Sequence, residues 1–227
     1  KLSGQRVLIT AGPTIEDIDP VRYISNRSSG KMGYAIAQAA QEQGAQVILI
    51  SGPVAVQPAQ HITLVSVRSA QQMHDAVFQF IADTDIFIAT AAVADYRPLE
   101  KVSRKIKKNT QSLTIELIKN PDILADVAIL PDKPLTIGFA AETNELQKYA
   151  MDKLVRKNLD MIVANEVGEA KGFEVDNNEL HLFWHEQHRH DGQYKKLAYA
   201  SKNKLAGQLI IEIASLVKNK KTGNDTL

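Results

Sequence analysis

At 227 residues, 44% of them hydrophobic and 23% charged, the chain is long and apolar enough to bury one large core. Its 27 Lys+Arg against 26 Asp+Glu leave a formal charge of +1, which excludes the strong basic excess of a nucleic-acid-coating or membrane-binding surface. The lack of cysteine excludes a disulfide framework, Cys-ligated zinc and a cysteine nucleophile. No apolar stretch approaches the length that spans a bilayer and no charged-then-apolar leader is seen, so a cytoplasmic setting is expected. The chain opens on Lys1 and enters a strand by Val7, as a portion of a longer polypeptide would.

Val7–Thr10 is a short β-branched apolar run that stops at Ala11-Gly12-Pro13, predicting a buried strand that enters a loop. The loop continues to Ser28-Ser29-Gly30-Lys31. Met32, Ala35, Ile36 and Ala39 then recur at helical spacing, with Gly44 as a stop. Val47–Ser51 and His61–Val67 predict the next strands, and Ser69–Ala82 a helix with Met73, Ala76, Val77 and Phe80 on one stripe and Ser69 as its cap. Asp85–Thr90 is a fourth buried strand. Leu135–Ala140, a helix over Leu146–Asn158 and a strand at Met161–Ala164 complete the alternation, and a final helix is expected over Ser201–Val217. Uniformly apolar strands alternating with helices imply an α/β, Rossmann-like, doubly wound and mostly parallel sheet.

Two regions interrupt this rhythm. The lysine-rich segment at about 100–110 has almost no core residues and is expected to be a surface flap, with an added strand at Leu113–Ile118 beyond it. Glu179–His185 alternates polar and apolar residues and can pair with Lys195–Ala200 as a hairpin. The tail, 218–227, is polar and expected to fray. One domain over 1–227 with appended strands is the simplest organisation.

In an open α/β sheet, ligands gather outside the carboxyl ends of the strands. Ser28-Ser29-Gly30-Lys31-Met32-Gly33 offers backbone N–H groups, two hydroxyls and a lysine where a helix begins, a suitable seat for phosphate; a plain Ser cap with close-packing glycines is the alternative. Lys31 either touches phosphate or points outward. It is not a Walker A loop, since Met32 follows Lys31 where a hydroxyl is needed, nor a dinucleotide fingerprint, since Pro13 and Thr14 follow Gly12. The Asn26 amide can both donate and accept, either to a reacting carbonyl or as a left-handed loop Asn. The run Lys101 to Lys108 is either a solvated face or a basic flap over a triphosphate.

These blocks together resemble bacterial phosphopantothenoylcysteine synthetases. The resemblance rests on Ile9-Thr10-Ala11-Gly12-Pro13-Thr14, Asp19-Pro20-Val21-Arg22-Tyr23-Ile24-Ser25-Asn26, Ser28 to Gly33, and Ala91-Ala92-Val93-Ala94-Asp95-Tyr96. It continues in Lys105-Ile106-Lys107-Lys108, Asn120-Pro121-Asp122-Ile123, Gly138-Phe139-Ala140-Ala141-Glu142-Thr143 and Lys157-Asn158-Leu159-Asp160, in the family's order. It implies CTP-dependent joining of 4'-phosphopantothenate to L-cysteine through an acyl-cytidylate, with Asn26 and Lys105 as catalytic residues. It also implies nucleotide contacts from Ser28, Ser29, Gly30, Ala91, Ala92, Asp95, Lys105, Pro121, Asp122, Ile123, Leu124, Phe139, Lys153 and Lys157. Magnesium is expected with the CTP, without identifiable protein ligands. FMN is expected only on a fused decarboxylase part N-terminal to this domain, and homodimerisation through projecting strands, with Leu113–Ile118 and the 179–200 hairpin as candidates. The flap departs slightly from the family pattern at Lys101-Val102-Ser103-Arg104 ahead of Lys105.

Three weaker patterns compete. Tyr149 and Lys153 have the Tyr-x-x-x-Lys spacing of short-chain dehydrogenases, though without a glycine-rich nicotinamide loop. His181, His185, His188 and His190 lie close in sequence without a metal geometry. A non-catalytic nucleotide sensor would use the phosphate loop but neither Asn26 nor Lys105.

Overall fold

The computed structural model describes residues 1–107, 111–142, 145–166, 176–185 and 192–224, apart from the side chains of 142, 166, 185, 192 and 219–224. The end of the flap motif at Lys108, Thr143, His188 and His190 therefore lie outside the described residues.

The elements run in chain order β1 (Arg6–Ala11), β2 (Ile15–Asp17), β3 (Tyr23–Ser25), α1 (Lys31–Glu42), β4 (Gln46–Ser51), β5 (Thr63–Ser66) and α2 (Ala70–Phe80), whose end tightens into a 3-10 turn at Ile81–Asp83. Next come β6 (Ile86–Ala89), β7 (Tyr96–Pro98), β8 (Leu117–Lys119), α3 (Ile123–Ala128), β9 (Leu135–Glu142), α4 (Leu146–Arg156) and β10 (Met161–Glu166). The chain closes with β11 (Asn177–His185), β12 (Gly192–Ser201) and α5 (Lys202–Asn224).

The main sheet has the order β12-β11-β10-β9-β6-β1-β4-β5. Strands β5 through β10 of that order are all parallel to their neighbours, while β11 and β12 join antiparallel at the β10 side. The parallel part grows outward from β1 in both directions, to β4 and β5 on one side and to β6, β9 and β10 on the other. This is the doubly wound order, whose switch point lies between β1 and β6.

Alternate residues of each strand serve opposite faces. Val7 and Ile9, Val47 and Leu49, and Ile86 and Ile88 pack under α1 and α5, with Ile36, Ala40, Leu209 and Ile213. Leu8, Ile50 and Phe87 pack on the opposite face under α2 and α3, with Met73, Val77, Ile123 and Val127. Burial on both faces explains the continuous apolar strands.

Capping follows the sequence at α2, where Ser69 accepts from the Gln72 N–H and the Gln72 side chain accepts in return from the Ser69 N–H. It departs at α1. The cap there is Gly30, in the left-handed region at φ 72°, with no side-chain cap. A Cβ at Gly30 would sit 2.8 Å from Val54 Cγ1, so the chain needs glycine for both conformation and space.

Of three further expectations, two change and one is met. Leu113–Ile118 is not a strand as a whole: only Leu117–Lys119 pairs, with Tyr96–Pro98, in a separate two-stranded ladder. The 179–200 hairpin forms as expected and extends the main sheet, with β12 at its edge. The polar tail continues α5 as far as Asn224, because helical hydrogen bonding does not require an apolar stripe once the helix is anchored.

The candidate active site at the switch point

Past the ends of β1 and β6 the two connecting loops remain zipped together. Thr90 N–H and Oγ1 both donate to the Thr10 carbonyl at 3.1 and 2.6 Å, and Ala92 N–H donates to the Gly12 carbonyl at 2.9 Å. Thr14, fully buried, accepts from the Ala94 N–H at 2.9 Å through Oγ1, and its carbonyl takes the Ser25 hydroxyl at 2.7 Å. Asn26 closes the series, donating from Nδ2 to the Val93 carbonyl at 2.9 Å. Asn26 is not left-handed, so the bland loop alternative does not hold.

Two adjoining cavities open at this switch point. The first, about 570 Å³, is lined by residues 26–33, by Thr90 to Val93, by Phe139 to Ala141, and by Lys153, Asn165, Asn178 and Lys202. The second, about 590 Å³, is lined by Ala94, Asp95 and Tyr96, by 119–124 and by Lys157. Ala91, Val93 and Phe139 line both, so the cavities are two arms of one cleft that meet beside Asn26.

Apart from Lys105, the structure brings the expected residues together, divided between the arms. Asn26, Ser28, Ser29, Gly30, Ala92 and Lys153 line the first. Asp95, Pro121, Asp122, Ile123, Leu124 and Lys157 line the second, and Ala91 and Phe139 stand at the junction. Asp122 caps α3 by accepting from the Ala125 N–H at 3.1 Å, and Lys157 Nζ reaches both its carboxylate oxygens at 2.7 and 2.9 Å. Asn120 braces the second arm, donating to the Ala94 carbonyl at 2.8 Å and accepting from Arg97 at 3.0 Å.

Lys105 lines neither arm and is exposed. Its neighbour Ile106 is anchored: its N–H donates to Asp19 Oδ2 at 3.1 Å and its carbonyl accepts from Arg22 Nη2 at 2.8 Å. Asp19 also takes the Val21 and Arg22 N–H groups and the Arg22 guanidinium, which holds its carboxyl well below the usual carboxylate range. Lys101 reaches Asp17 at 2.8 Å, and Arg68 and Lys101 together lower the Asp17 pKa from 3.8 to about 2. The first half of the flap is therefore tied to the β2–β3 hairpin.

Asn165, Asn178 and Lys202 were not foreseen. They reach the first arm from β10, β11 and the start of α5, and nothing local in their sequence marks them. The one readable signal was Ser201, whose Oγ accepts from the Lys204 N–H at 3.3 Å and opens α5. Tyr149 lines neither arm and is 37% exposed, so the Tyr-x-x-x-Lys pair has no shared site to serve. His181 bonds Tyr194 and Glu179, each at 2.9 Å, and among the described residues no cluster of three or more His, Asp or Glu is disposed to hold a metal ion. Among them too, no helix is long and apolar enough to cross a membrane.

Residues 2–217 match the family described as the DNA/pantothenate metabolism flavoprotein C-terminal domain. The coenzyme A biosynthesis bifunctional protein CoaBC of Haemophilus influenzae is 52% identical over 213 residues, 93% of this chain and 52% of that one. The protein of the same description from Escherichia coli K12 is 49% identical over 216 residues, 93% of this chain and 52% of that one. The chain thus spans about half the length of the curated relatives it matches. A crystal structure of the C-terminal domain of such a CoaBC protein superposes with a TM-score of 0.80 at 44% identity, covering 96% of this chain and 98% of that one. By sequence and by fold alike, the chain belongs to the family of DNA/pantothenate metabolism flavoprotein C-terminal domains.

Proposed function

We propose that this chain is a phosphopantothenate–cysteine ligase of coenzyme A biosynthesis, using CTP to activate the acid. The observation that carries this reading is the two-armed cleft: two separate compartments, each with its own polar lining, meet at Ala91, Val93 and Phe139 beside Asn26. A reaction that joins two sizeable substrates at one point needs that shape. Membership in a family whose relatives are described as coenzyme A biosynthesis bifunctional proteins supports substrates drawn from that biosynthesis.

In this reading the cytidine nucleotide occupies the arm of Asp95, Pro121 to Leu124 and Lys157, with Phe139 between the arms. The carboxylate of 4'-phosphopantothenate attacks the α-phosphorus of CTP, the bond to the β-phosphate oxygen breaks, and pyrophosphate leaves. The amine of L-cysteine then attacks the acyl carbon of the mixed anhydride, CMP departs, and the ammonium proton goes to solvent. Asn26 offers its second Nδ2 hydrogen to the acyl-cytidylate, as a donor whose position Val93 already fixes. Lys105 reaches the triphosphate by movement of the flap and offsets charge as pyrophosphate leaves. Magnesium enters with the triphosphate as part of the substrate; among the described residues no cluster of three or more carboxylates or histidines is disposed to hold it.

The remaining assignments belong to the same reading. Residues 1–227 form one synthetase domain, the C-terminal part of a longer cytoplasmic bifunctional chain whose FMN resides on a decarboxylase part. The domain works as a homodimer, for which the exposed Tyr23, Tyr96, Leu99 and Leu117 around the small ladders are suitable contact groups. The test is product formation: with 4'-phosphopantothenate, L-cysteine, CTP and magnesium, the chain yields 4'-phosphopantothenoyl-L-cysteine by mass spectrometry. Nucleotide binding without the amide product would make it a sensor.

A further inference from the structure

Of the block Lys157-Asn158-Leu159-Asp160, only Lys157 lines the cleft. The other three fold around the end of α4. Asn158 takes the left-handed conformation at φ 51°, its N–H donates to the Val155 carbonyl at 3.1 Å, and the Leu159 N–H donates to the Leu154 carbonyl at 3.0 Å. This Schellman pairing ends the helix, and asparagine is one of the few residues besides glycine that accept such a backbone. The Asn158 carbonyl accepts from Lys133 Nζ at 2.5 Å, and Lys133 also reaches Asp160 Oδ2 at 3.2 Å. Asp160 is fastened to β9, taking the Thr136 N–H on its carboxylate at 2.8 Å and donating its own N–H to the Thr136 carbonyl at 3.0 Å. The backbone of Asn158 is therefore set in a fixed frame.

From that frame Asn158 Nδ2 donates to the carbonyl of Ala128, the last residue of α3, at 3.1 Å. Lys157 grips the opposite end of the same helix through both oxygens of its cap, Asp122. Two consecutive residues thus hold the two ends of α3. Six residues are too few for a helix to keep its shape unaided, and its last carbonyls have no partner within the helix. Yet Asp122, Ile123 and Leu124, at the start of α3, line the second arm of the cleft. A further contact comes from α2, where His74 Nε2 lies 3.3 Å from Asp126 Oδ2.

We infer that Asn158 is a positioning residue for the nucleotide: its amide holds α3 from behind, so that the first turn of α3 keeps its place in the second arm. This rests on the proposed ligase reading, in which Lys157 contacts the nucleotide. A lysine that turns toward the nucleotide loosens its grip on Asp122. The Asn158 amide lines neither arm and meets no ligand, so its hold on Ala128 persists while Lys157 is engaged. Asn158 therefore acts on the nucleotide only through α3, and leaves the first arm untouched.

The experiment measures pyrophosphate release by the 227-residue chain and its Asn158→Gly and Asn158→Asp variants, varying CTP and 4'-phosphopantothenate in turn. Both replacements accept the left-handed backbone, so α4 still ends in place, and neither can donate to Ala128. Each should raise KM for CTP about 3- to 10-fold, the loss of one hydrogen bond, while kcat and KM for 4'-phosphopantothenate stay within about twofold. A residue that served only to end α4 would leave both KM values unchanged in Asn158→Gly. A KM for CTP within twofold of wild type in either variant, or equal rises in KM for both substrates, overturns the assignment. A wild type that releases no pyrophosphate with 4'-phosphopantothenate overturns the ligase reading first and the role of Asn158 with it, a visibly different result.

Discussion

Asn26 donates its Nδ2 hydrogen to the Val93 carbonyl across 2.9 Å, stapling the segment that follows β3 to the loop that follows β6 where the two arms of the cleft meet. An aspartate at this position can neither donate to Val93 nor offer a hydrogen to an acyl oxygen, and it sets a carboxylate against a carbonyl. Asn26→Asp should therefore form the acyl-cytidylate but slow its conversion by about 10²- to 10³-fold. Mass spectrometry of quenched reactions should reveal the accumulated intermediate; normal turnover with no trapped species would contradict the role.

Lys105 acts, in this account, only after the flap has moved. Lys105→Gln should slow pyrophosphate release by about 10²-fold. Because the side chain is exposed and lines neither arm, the same variant should change stability by no more than about 0.5 kcal/mol. A rapid-quench measurement with an unchanged pyrophosphate burst would remove Lys105 from the first step.

Asp17 and Asp19 tether the flap to the β2–β3 hairpin, and their cationic partners hold both carboxyls below the usual value. A carboxylate with a depressed folded pKa contributes stability that is fully present above its unfolded pKa of 3.8 and is lost as pH falls through the folded value. The tether should thus persist at pH 5 and weaken from about pH 4 downward. A carbon-detected NMR titration should give Asp17 a midpoint of about 2 and Asp19 one well below the usual carboxylate range. Midpoints near 3.8 for both would show that the tether is not formed in solution.

Gly33 lies where α1 crosses the ends of β1 and β6. A Cβ there would stand 2.5 Å from Thr90 Oγ1 and 2.6 Å from Ala11 Cβ. Gly33→Ala should destabilise the chain by about 1–3 kcal/mol, seen as a lower Tm in calorimetry. Gly207, within α5, has nothing within 4 Å of a built Cβ, so Gly207→Ala should stabilise by up to about 1 kcal/mol. Equal effects of the two substitutions would contradict the close approach at Gly33.

The parallel strands were legible because covered faces demand apolar side chains throughout, as in Val7–Thr10 and Asp85–Thr90. The helix at Ala70–Phe80 was legible from its Ser69 cap. The three-residue ladders β2–β3 and β7–β8 and the six-residue α3 were not, since none is long enough to show a period. In the cleft, the segment between β1 and α1 announced itself through Gly, Ser and Asn, which need special backbone or offer donors, whereas the loop after β6, Thr90 to Asp95, has none of these and was marked only by the family resemblance. Lys202 and Asn178 did not: one starts a helix, the other lies in an edge hairpin, and only the order of strands brings them to the same arm. The division of the expected ligand contacts between two arms is likewise a property of the sheet's switch point, absent from any local pattern.

The most direct test of the central claim is pyrophosphate release by the purified chain with magnesium and 4'-phosphopantothenate, comparing CTP with ATP, before and after cysteine is added. The account predicts release that requires 4'-phosphopantothenate, favours CTP and begins without cysteine, with CMP appearing once cysteine is present. Absence of release with either nucleotide, or release that is indifferent to 4'-phosphopantothenate, would contradict it.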